Sequence, residues 1–437
     1  MRIRANHTFL RRHAYTLPGI LGGAIAAAAH AGSPELAARA EAGELEEANA
    51  AWWGFTPEDA TACLQAAIDS GARRLIVPYM GADWTVRPVR LRGDLEMFFE
   101  PGVVVMAKEG AFRGKGDSLF SAADAASIRL IGYGATLRMR KRDYQNPPYD
   151  RAEWRMTVSL RGCSNVHVEG LRLESSGGDG IYIGATGAQP YCRDVVVRNV
   201  VCHDHHRQGI SVISAENLLI ENCVFSGTRG TAPQAGIDLE PNRPGERLVN
   251  CIIRNCIMED NTGAGILVYL KPLEAESPPV SVRFEHCFVR SGSDQGLAVG
   301  AVRDGVRGSI EFVNCTVENT KRGGAFVYDK SAQGALVRFT NCNWRNVATA
   351  PALRGPRAPL LLSLMRGSIT EELGGIEFTD CVVYDDQDRP ALVAECDVAG
   401  GRIGDIRGNL SIANPHGVRV QIGAEDKAPA SLTVSAL

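Results

Sequence analysis

The sequence predicts an all-β chain: a right-handed parallel β-helix, or solenoid, with a short capping helix at its N-terminal end. Two columns of residues carry that prediction. The segments GDGIYIG, RQGISVIS, AGIDLEPN and AGILVYLK each hold a glycine (Gly180, Gly209, Gly236, Gly265) followed by a run with apolar residues at every second position. The pattern continues at Gly296 and Gly324, with spacings of 29, 27, 29, 31 and 28 residues. A fixed period in the twenties with one short strand per repeat marks stacked coils. The second column lies in LLIENC, CIIRNC, VRFEHC, IEFVNC, VRFTNC and IEFTDC. There Asn222, Asn255, His286, Asn314, Asn341 and Asp380 each precede a cysteine, from Cys223 to Cys381. Gly170–Leu171 and Asn199–Val200 fit the same column in two earlier coils. Asn tolerates left-handed backbone, and its amide can bond a neighbouring coil. The reading is two strand columns and one turn column per repeat.

Composition excludes several partners. A net charge of −3 over 437 residues gives no global pull toward nucleic acid or anionic lipid. Beyond the first thirty residues no apolar run is long enough to span a membrane. Of 12 cysteines, six share one inward column. Stacked side chains run parallel at a spacing of about 4.8 Å, whereas a disulfide needs Cβ atoms converging to roughly 3.5–4.5 Å. The column is therefore expected to be free thiol packing as a small hydrophobe. No Cys or Cys/His spacing suggests zinc.

In chain order, residues 1–31 hold Arg2, Arg4, Arg11 and Arg12, then LPGILGGAIAAAA and a small-residue Ala29-His30-Ala31, the parts of an export signal. The paired arginines also resemble a twin-arginine signal. Export to the periplasm or outside the cell is the expectation. Residues 32–51 are Ala/Glu-rich and read as a loose helical linker, leaving residues 52–437 as one β-helix domain, expected to be monomeric. Thr56-Pro57-Glu58-Asp59 reads as a helix start, with the helix running to Gly71. The strands RRLIVP, VRPVRL, LEMFFEPGVVVMAK and IRLIGYGATLRM follow. Beyond Asp380 the repeat weakens, and VRVQIG and SLTVSAL read as irregular last coils. Helix, strand to Pro78, Pro101-Gly102-Val103 and Gly132-Tyr133-Gly134-Ala135 together resemble the N-terminal cap and first coils of the pectin-lyase-like superfamily. That superfamily includes polygalacturonases, pectate lyases and alginate epimerases. The resemblance implies the fold and a polysaccharide substrate.

Residues 138–161 carry Arg138, Arg140, Lys141, Arg142, Arg151, Arg155 and Arg161 around Tyr144, Tyr149 and Trp154. The segment is too long for a coil turn and is expected to lie over one face. Its arginines could pair sugar carboxylates while its aromatics stack on sugar rings.

Chemistry on a solenoid belongs to outward side chains of adjacent coils. Alternation puts Tyr182, Ser211, Asp238 and Leu267 outward in one row, Glu240 and Tyr269 in the next, then Lys271. Asp179 and the run Asp204-His205-His206-Arg207-Gln208 precede the glycines. Asp238 and Glu240 are expected about 7 Å apart at Cα. That spacing suits an inverting glycosidase, which separates its two carboxyls by roughly 6.5–9.5 Å, with Asp179, Asp238 and Glu240 as candidates. The paired Asp-Asp, Gly-His-Gly and Arg-x-Lys that polygalacturonases would show are absent. The second mechanism abstracts a uronate C5 proton, as in β-elimination or epimerisation, and needs a carboxylate clamp, a base and an acid. The coil His203–Ile210 is similar to the Asp-Arg-His-Gly-Phe-type coil of alginate C5-epimerases. Asp204-His205-His206 resembles their Asp-Pro-His motif without its Pro. That resemblance implies Arg207 as clamp, His205 or His206 as base and Tyr182 or Tyr269 as acid. A third reading is a carbohydrate-binding or surface structural β-helix without catalysis. No cofactor is expected, although outward acids on adjacent coils could hold Ca²⁺.

Overall fold

The computed structural model describes residues 32–290, 292–350, 358–423 and 431–437. The export-signal reading of residues 1–31 lies outside the described residues. Within them the chain winds as stacked coils, and the pairings between named strands are parallel. The glycine strands form one 12-stranded sheet. Eight of its strands are labelled here: β1 (Val158–Arg161), β2 (Ile181–Gly184), β3 (Ile210–Val212), β4 (Ile237–Leu239), β5 (Ile266–Tyr269), β6 (Gln295–Val302), β7 (Gly323–Lys330) and β8 (Leu360–Leu364). The register runs Ile181–Ile210–Ile237–Ile266–Leu297–Ala325, one inward residue per coil, and all six are buried.

The glycine column has a steric cause. A Cβ on Gly180 or Gly209 would lie 2.5 Å from the carbonyl oxygen of the next glycine in the column. The coil entry therefore admits no side chain at this spacing.

The Asn–Cys column is a left-handed turn: φ is 56° at Asn222, 54° at Asn255 and Asn314, and 51° at Asn341 and Asp380. The amides stack as expected, Asn341 donating to Asn314 at 2.6 Å. Each repeat also carries a third strand column, which the sequence reading missed because its members are only three residues long. Val224–Ser226 and Ile257–Glu259 are examples, paired in register. The six column cysteines are buried, with thiols donating to backbone carbonyls, as Cys342 does to Phe312 at 3.3 Å. Beside them Phe284, Phe312, Phe339 and Phe378 stack at 4.9, 5.1 and 5.3 Å.

Three expectations need correction. Residues 32–51 are no loose linker. Helix α1 (Pro34–Glu41) is followed by the strand Glu47–Asn49, which pairs with Arg74–Val77 and so opens the coil stack. Ala40, Ala48, Ala50 and Ala51 are buried in the main core. The small residues that looked like a linker allow close packing on the solenoid's end. Helix α2 (Thr61–Asp69) starts later than Thr56-Pro57 suggested. Thr56 instead donates to the Asp59 carbonyl, closing a turn before the helix. At the far end Val420–Ile422 and Leu432–Ala436 remain in parallel register with Leu392–Cys396 and Ile406–Ala413, so the last coils keep the stack despite their weak sequence pattern.

Candidate functional site

Tyr182, Ser211 and Asp238 are register partners on β2, β3 and β4, all pointing away from the core. Arg207 enters just before β3. The N–H groups of His206 and Arg207 both donate to the Gly178 carbonyl, at 3.1 and 3.0 Å, which fixes the turn that aims the guanidinium. It lies 3.5 Å from Glu240, 3.9 Å from Asp179 and 4.0 Å from Glu153. Gln208 donates to Asp238 at 2.8 Å and accepts from the Ala235 N–H at 2.8 Å.

Facing away from the core did not mean facing solvent. Asp179 and Asp238 are fully buried, which corrects their expected exposure. Of the expected loop 138–161, residues 139–157 lie across the strand row, while Arg138 ends one strand and Val158–Arg161 form β1. A Cβ on Gly178 would stand 2.6 Å from the Glu153 carbonyl and 2.9 Å from the Arg155 nitrogen, so bare backbone at Gly178 lets the loop settle. Arg155 pins it. The guanidinium is buried and donates to the carbonyls of Phe112, Arg113 and Asp150 at 2.9, 3.1 and 2.8 Å. Arg140 pairs with Asp143 and Glu109, Arg138 with Glu174, and Lys141 with Asp204. Much of the basic loop is thus spent on internal structure rather than held free for a polyanion.

The electrostatics follow from burial. Loss of solvent pushes Asp179 up to about 7, against the downward pull of Arg207 and Ser211. Burial and then the adjacent Glu240 charge push Asp238 well above the carboxylate range, again against Arg207. Burial works to lower Arg207, but Asp179, Asp238, Glu240 and Glu153 raise it overall. One permanent cation thus stands among four carboxyl groups, two of which hold protons more tightly than free acids. Asp238 and Glu240 act in one local field instead of flanking a gap.

The remaining candidates disperse. Asp204 occupies a left-handed turn at φ 57°, bonded by Lys141 at 2.8 Å and Ser175 at 2.9 Å. Burial raises its pKa, but Lys141 outweighs that and holds it low. His205 points into the core, with Nδ1 bonded to Ser176 at 2.8 Å, and burial drives it down to about 3. It cannot meet a substrate there. His206 is buried against Thr231, 2.9 Å away, and burial lowers it too. Tyr182 lies beneath Arg161, whose guanidinium is 4.3 Å from the ring centre. Tyr269 stands one coil beyond Glu240, 6.5 Å from Tyr328, and Lys271 is exposed beyond it. Glu153 and Tyr328 were missed, and Gln208, though part of the run before Gly209, was given no role. Glu153 is one of three acids in the basic loop, with Asp143 and Asp150, and only the loop's path brings it to Arg207. A Ca²⁺ site does not fit this donor set. The acids converge on the Arg207 guanidinium, and among the described residues no group of three or more His, Cys, Asp or Glu could hold a metal.

Comparison with known proteins agrees with the fold. The family model described as right handed beta helix region matches residues 153–307. The Bacillus subtilis protein YclG, itself uncharacterized, is 24% identical over 229 residues, 47% of this chain and 39% of YclG. The chain thus matches well under half of that relative's length. The Yersinia enterocolitica family 28 exopolygalacturonase superposes with a TM-score of 0.59 at 12% identity, over 90% of this chain and 77% of the enzyme. The A-module of the Azotobacter vinelandii mannuronan C-5 epimerase AlgE6 gives 0.60 at 14% identity, over 89% and 97%. The Streptococcus pneumoniae surface protein and adhesin PfbA gives 0.53 at 13% identity, over 89% and 99%. Enzymes and an adhesin share this architecture, so the likeness speaks for the fold, and the chemistry has to be argued from the site.

Proposed function

We infer, for a chain with the right-handed parallel β-helix fold of the pectin-lyase-like superfamily, that it acts on a polysaccharide outside the cytoplasm by acid–base hydrolysis of a glycosidic bond. The observation that carries this reading is the convergence of Asp179, Glu240 and Glu153 on Arg207, with Asp238 in the same field and burial pushing the pKa of both Asp179 and Asp238 upward. Glycoside hydrolysis needs a protonated carboxyl to give a proton to the leaving oxygen and an ionised one to activate water. Asp179 suits the first role, while Asp238 shares one local field with Glu240 and does not face it across a gap. Glu240, whose side chain is 26% exposed, suits the second. This reading requires the Glu153–Arg155 segment, pinned by the Arg155 guanidinium, to lift before a sugar reaches the proton donor. Proton abstraction at C5 fits less well. Its base would be His205, which lies in the core, or His206, which is buried against Thr231. Its clamp would be Arg207, which already answers the protein's own acids.

One observation favours a binder without catalysis: neither buried acid reaches solvent. Product analysis separates the readings. Incubation with a panel of neutral and uronate glycans should release new reducing ends without the ultraviolet absorbance of unsaturated sugars. Glu240→Gln should lower the rate by about 10²–10⁴-fold, while Glu276→Gln on an exposed loop should not. Absence of any product across the panel would leave the binding role.

A further inference from the structure

We propose that Tyr269, Phe326 and Tyr328 form a ledge that binds an uncharged sugar ring next to the acid cluster, an inference that rests on the polysaccharide reading above. The ledge follows from register. Asp238 on β4 pairs with Leu267 on β5, so Tyr269 stands one coil beyond Glu240. On β6 the partner of Tyr269 is Gly300, and on β7 the partner of Gly300 is Tyr328. A Cβ on Gly300 would lie 2.1 Å from Tyr328 Cζ, so the missing side chain is what allows Tyr328 to lean across that coil. The Tyr269 and Tyr328 rings then approach to 6.5 Å with a 32° tilt, and Phe326 stacks on Tyr328 at 4.6 Å and 21°. All three rings are half-buried on the outer face, and the neighbouring Met365 is 42% exposed.

Charge selects the class of ligand. The faces of aromatic rings are electron-rich and favour the C–H surface of a sugar over a carboxylate. Arg366 lies 5.9 Å from the Tyr328 ring centre and also interacts with the Tyr269 hydroxyl, but its first partner is Asp329. That buried acid accepts from the Arg366 guanidinium at 2.6 Å and from the Met365 and Arg366 N–H groups at 2.7 and 2.8 Å. Arg303 is likewise engaged, by the Lys271 and Ser368 carbonyls. On the other side stand Asp238 and Glu240. Lys271 at the rim and Arg161, back on β1 over Tyr182, are the cations to which an acidic sugar would turn instead.

Calorimetric titration of the full chain carrying Glu240→Gln reads binding without turnover. The probes are neutral hexasaccharides (cello-, manno- and xylo-type) and hexamers of galacturonate and mannuronate. At least one neutral probe should bind more tightly than both uronates. Tyr328→Ala and Tyr269→Ala should each weaken that binding by about tenfold, and Tyr328→Phe should retain it, with all three keeping a single cooperative thermal transition above the titration temperature. Tighter binding of a uronate, lost on Arg161→Ala or Lys271→Ala, would overturn the proposal, as would no binding of any neutral probe. Product analysis on the unmodified chain is independent of this. Products without an effect of the tyrosine substitutions would sink the ledge and leave the hydrolase reading. Ledge-dependent binding without products would do the reverse.

Discussion

Arg207 stands 3.5 Å from Glu240 across two adjacent coils, with its side chain only 16% exposed. It is the cation around which the buried Asp179 and Asp238 are tolerated. Removing one partner of a buried charge group leaves the others uncompensated. Arg207→Ala should therefore lower unfolding free energy by about 3 kcal/mol, read by chemical denaturation. Gln208→Ala should cost about 1–2 kcal/mol, because it strips the hydrogen bond from Asp238. A loss below about 0.5 kcal/mol for Arg207→Ala, the range of ordinary surface changes, would mean that the guanidinium is dispensable to the fold.

Asp179 makes stability depend on pH in an unusual direction. Its folded pKa, about 7, lies above the unfolded value of 3.8. Between those values the folded state holds the extra proton, so this group's contribution falls as pH rises through the window. His205 works the opposite way: with a folded pKa near 3 against 6.5 unfolded, stability falls as pH drops through that range. The two slopes partly cancel in the intact chain. Melting temperatures of Asp179→Asn minus those of the unmodified chain should therefore grow from pH 4.5 to pH 8. A difference independent of pH would show that Asp179 is ionised throughout.

The N-terminal segment should matter for folding. A chain beginning at Ala51 lacks the Glu47–Asn49 strand, uncovers part of the first coil and loses the hydrogen bond from Trp53 to Glu41 at 2.8 Å. It should melt several degrees below a chain beginning at Gly32, since about 1 kcal/mol shifts a large domain by roughly 2–4 °C. Equal melting temperatures in calorimetry would reduce α1 and its strand to decoration.

The cysteine column should be unreactive when folded and titratable when unfolded. Cys223, Cys256, Cys287, Cys315, Cys342 and Cys381 are buried, where thiols are shielded from reagents. A thiol count in denaturant without reductant should recover all 12 cysteines of the chain, these six among them. Fewer would mean that stacked coils can converge enough to form disulfides.

Freeing the loop should expose the acids. Arg155→Met removes the three carbonyl bonds that hold residues 139–157 down. The loop should become the first site of limited proteolysis, with a stability loss of about 2–4 kcal/mol from the orphaned groups. Unchanged cleavage kinetics would show that Tyr144 and Tyr149 packing holds the loop without Arg155.

The repeat, the glycine and Asn–Cys columns, the inward face and the outward row of Tyr182, Ser211 and Asp238 were all legible in the sequence, because a period-two strand repeated at a constant spacing leaves no other way to bury its apolar side. Alternation gave Asp238 and Glu240 as neighbours, and coil stacking put Asp179 and Arg207 beside them, where the guanidinium lies 3.9 Å from Asp179 and 3.5 Å from Glu240. Alternation says which way a residue points and is silent on what covers it. The path of residues 139–157 was settled only by tertiary packing of Arg155, Tyr144 and bare Gly178. That packing buried two acids, brought Glu153 to Arg207 and changed their protonation. His205 went astray for a related reason. It follows a left-handed residue, Asp204, where strand alternation breaks and a side chain that reads as outward turns into the core.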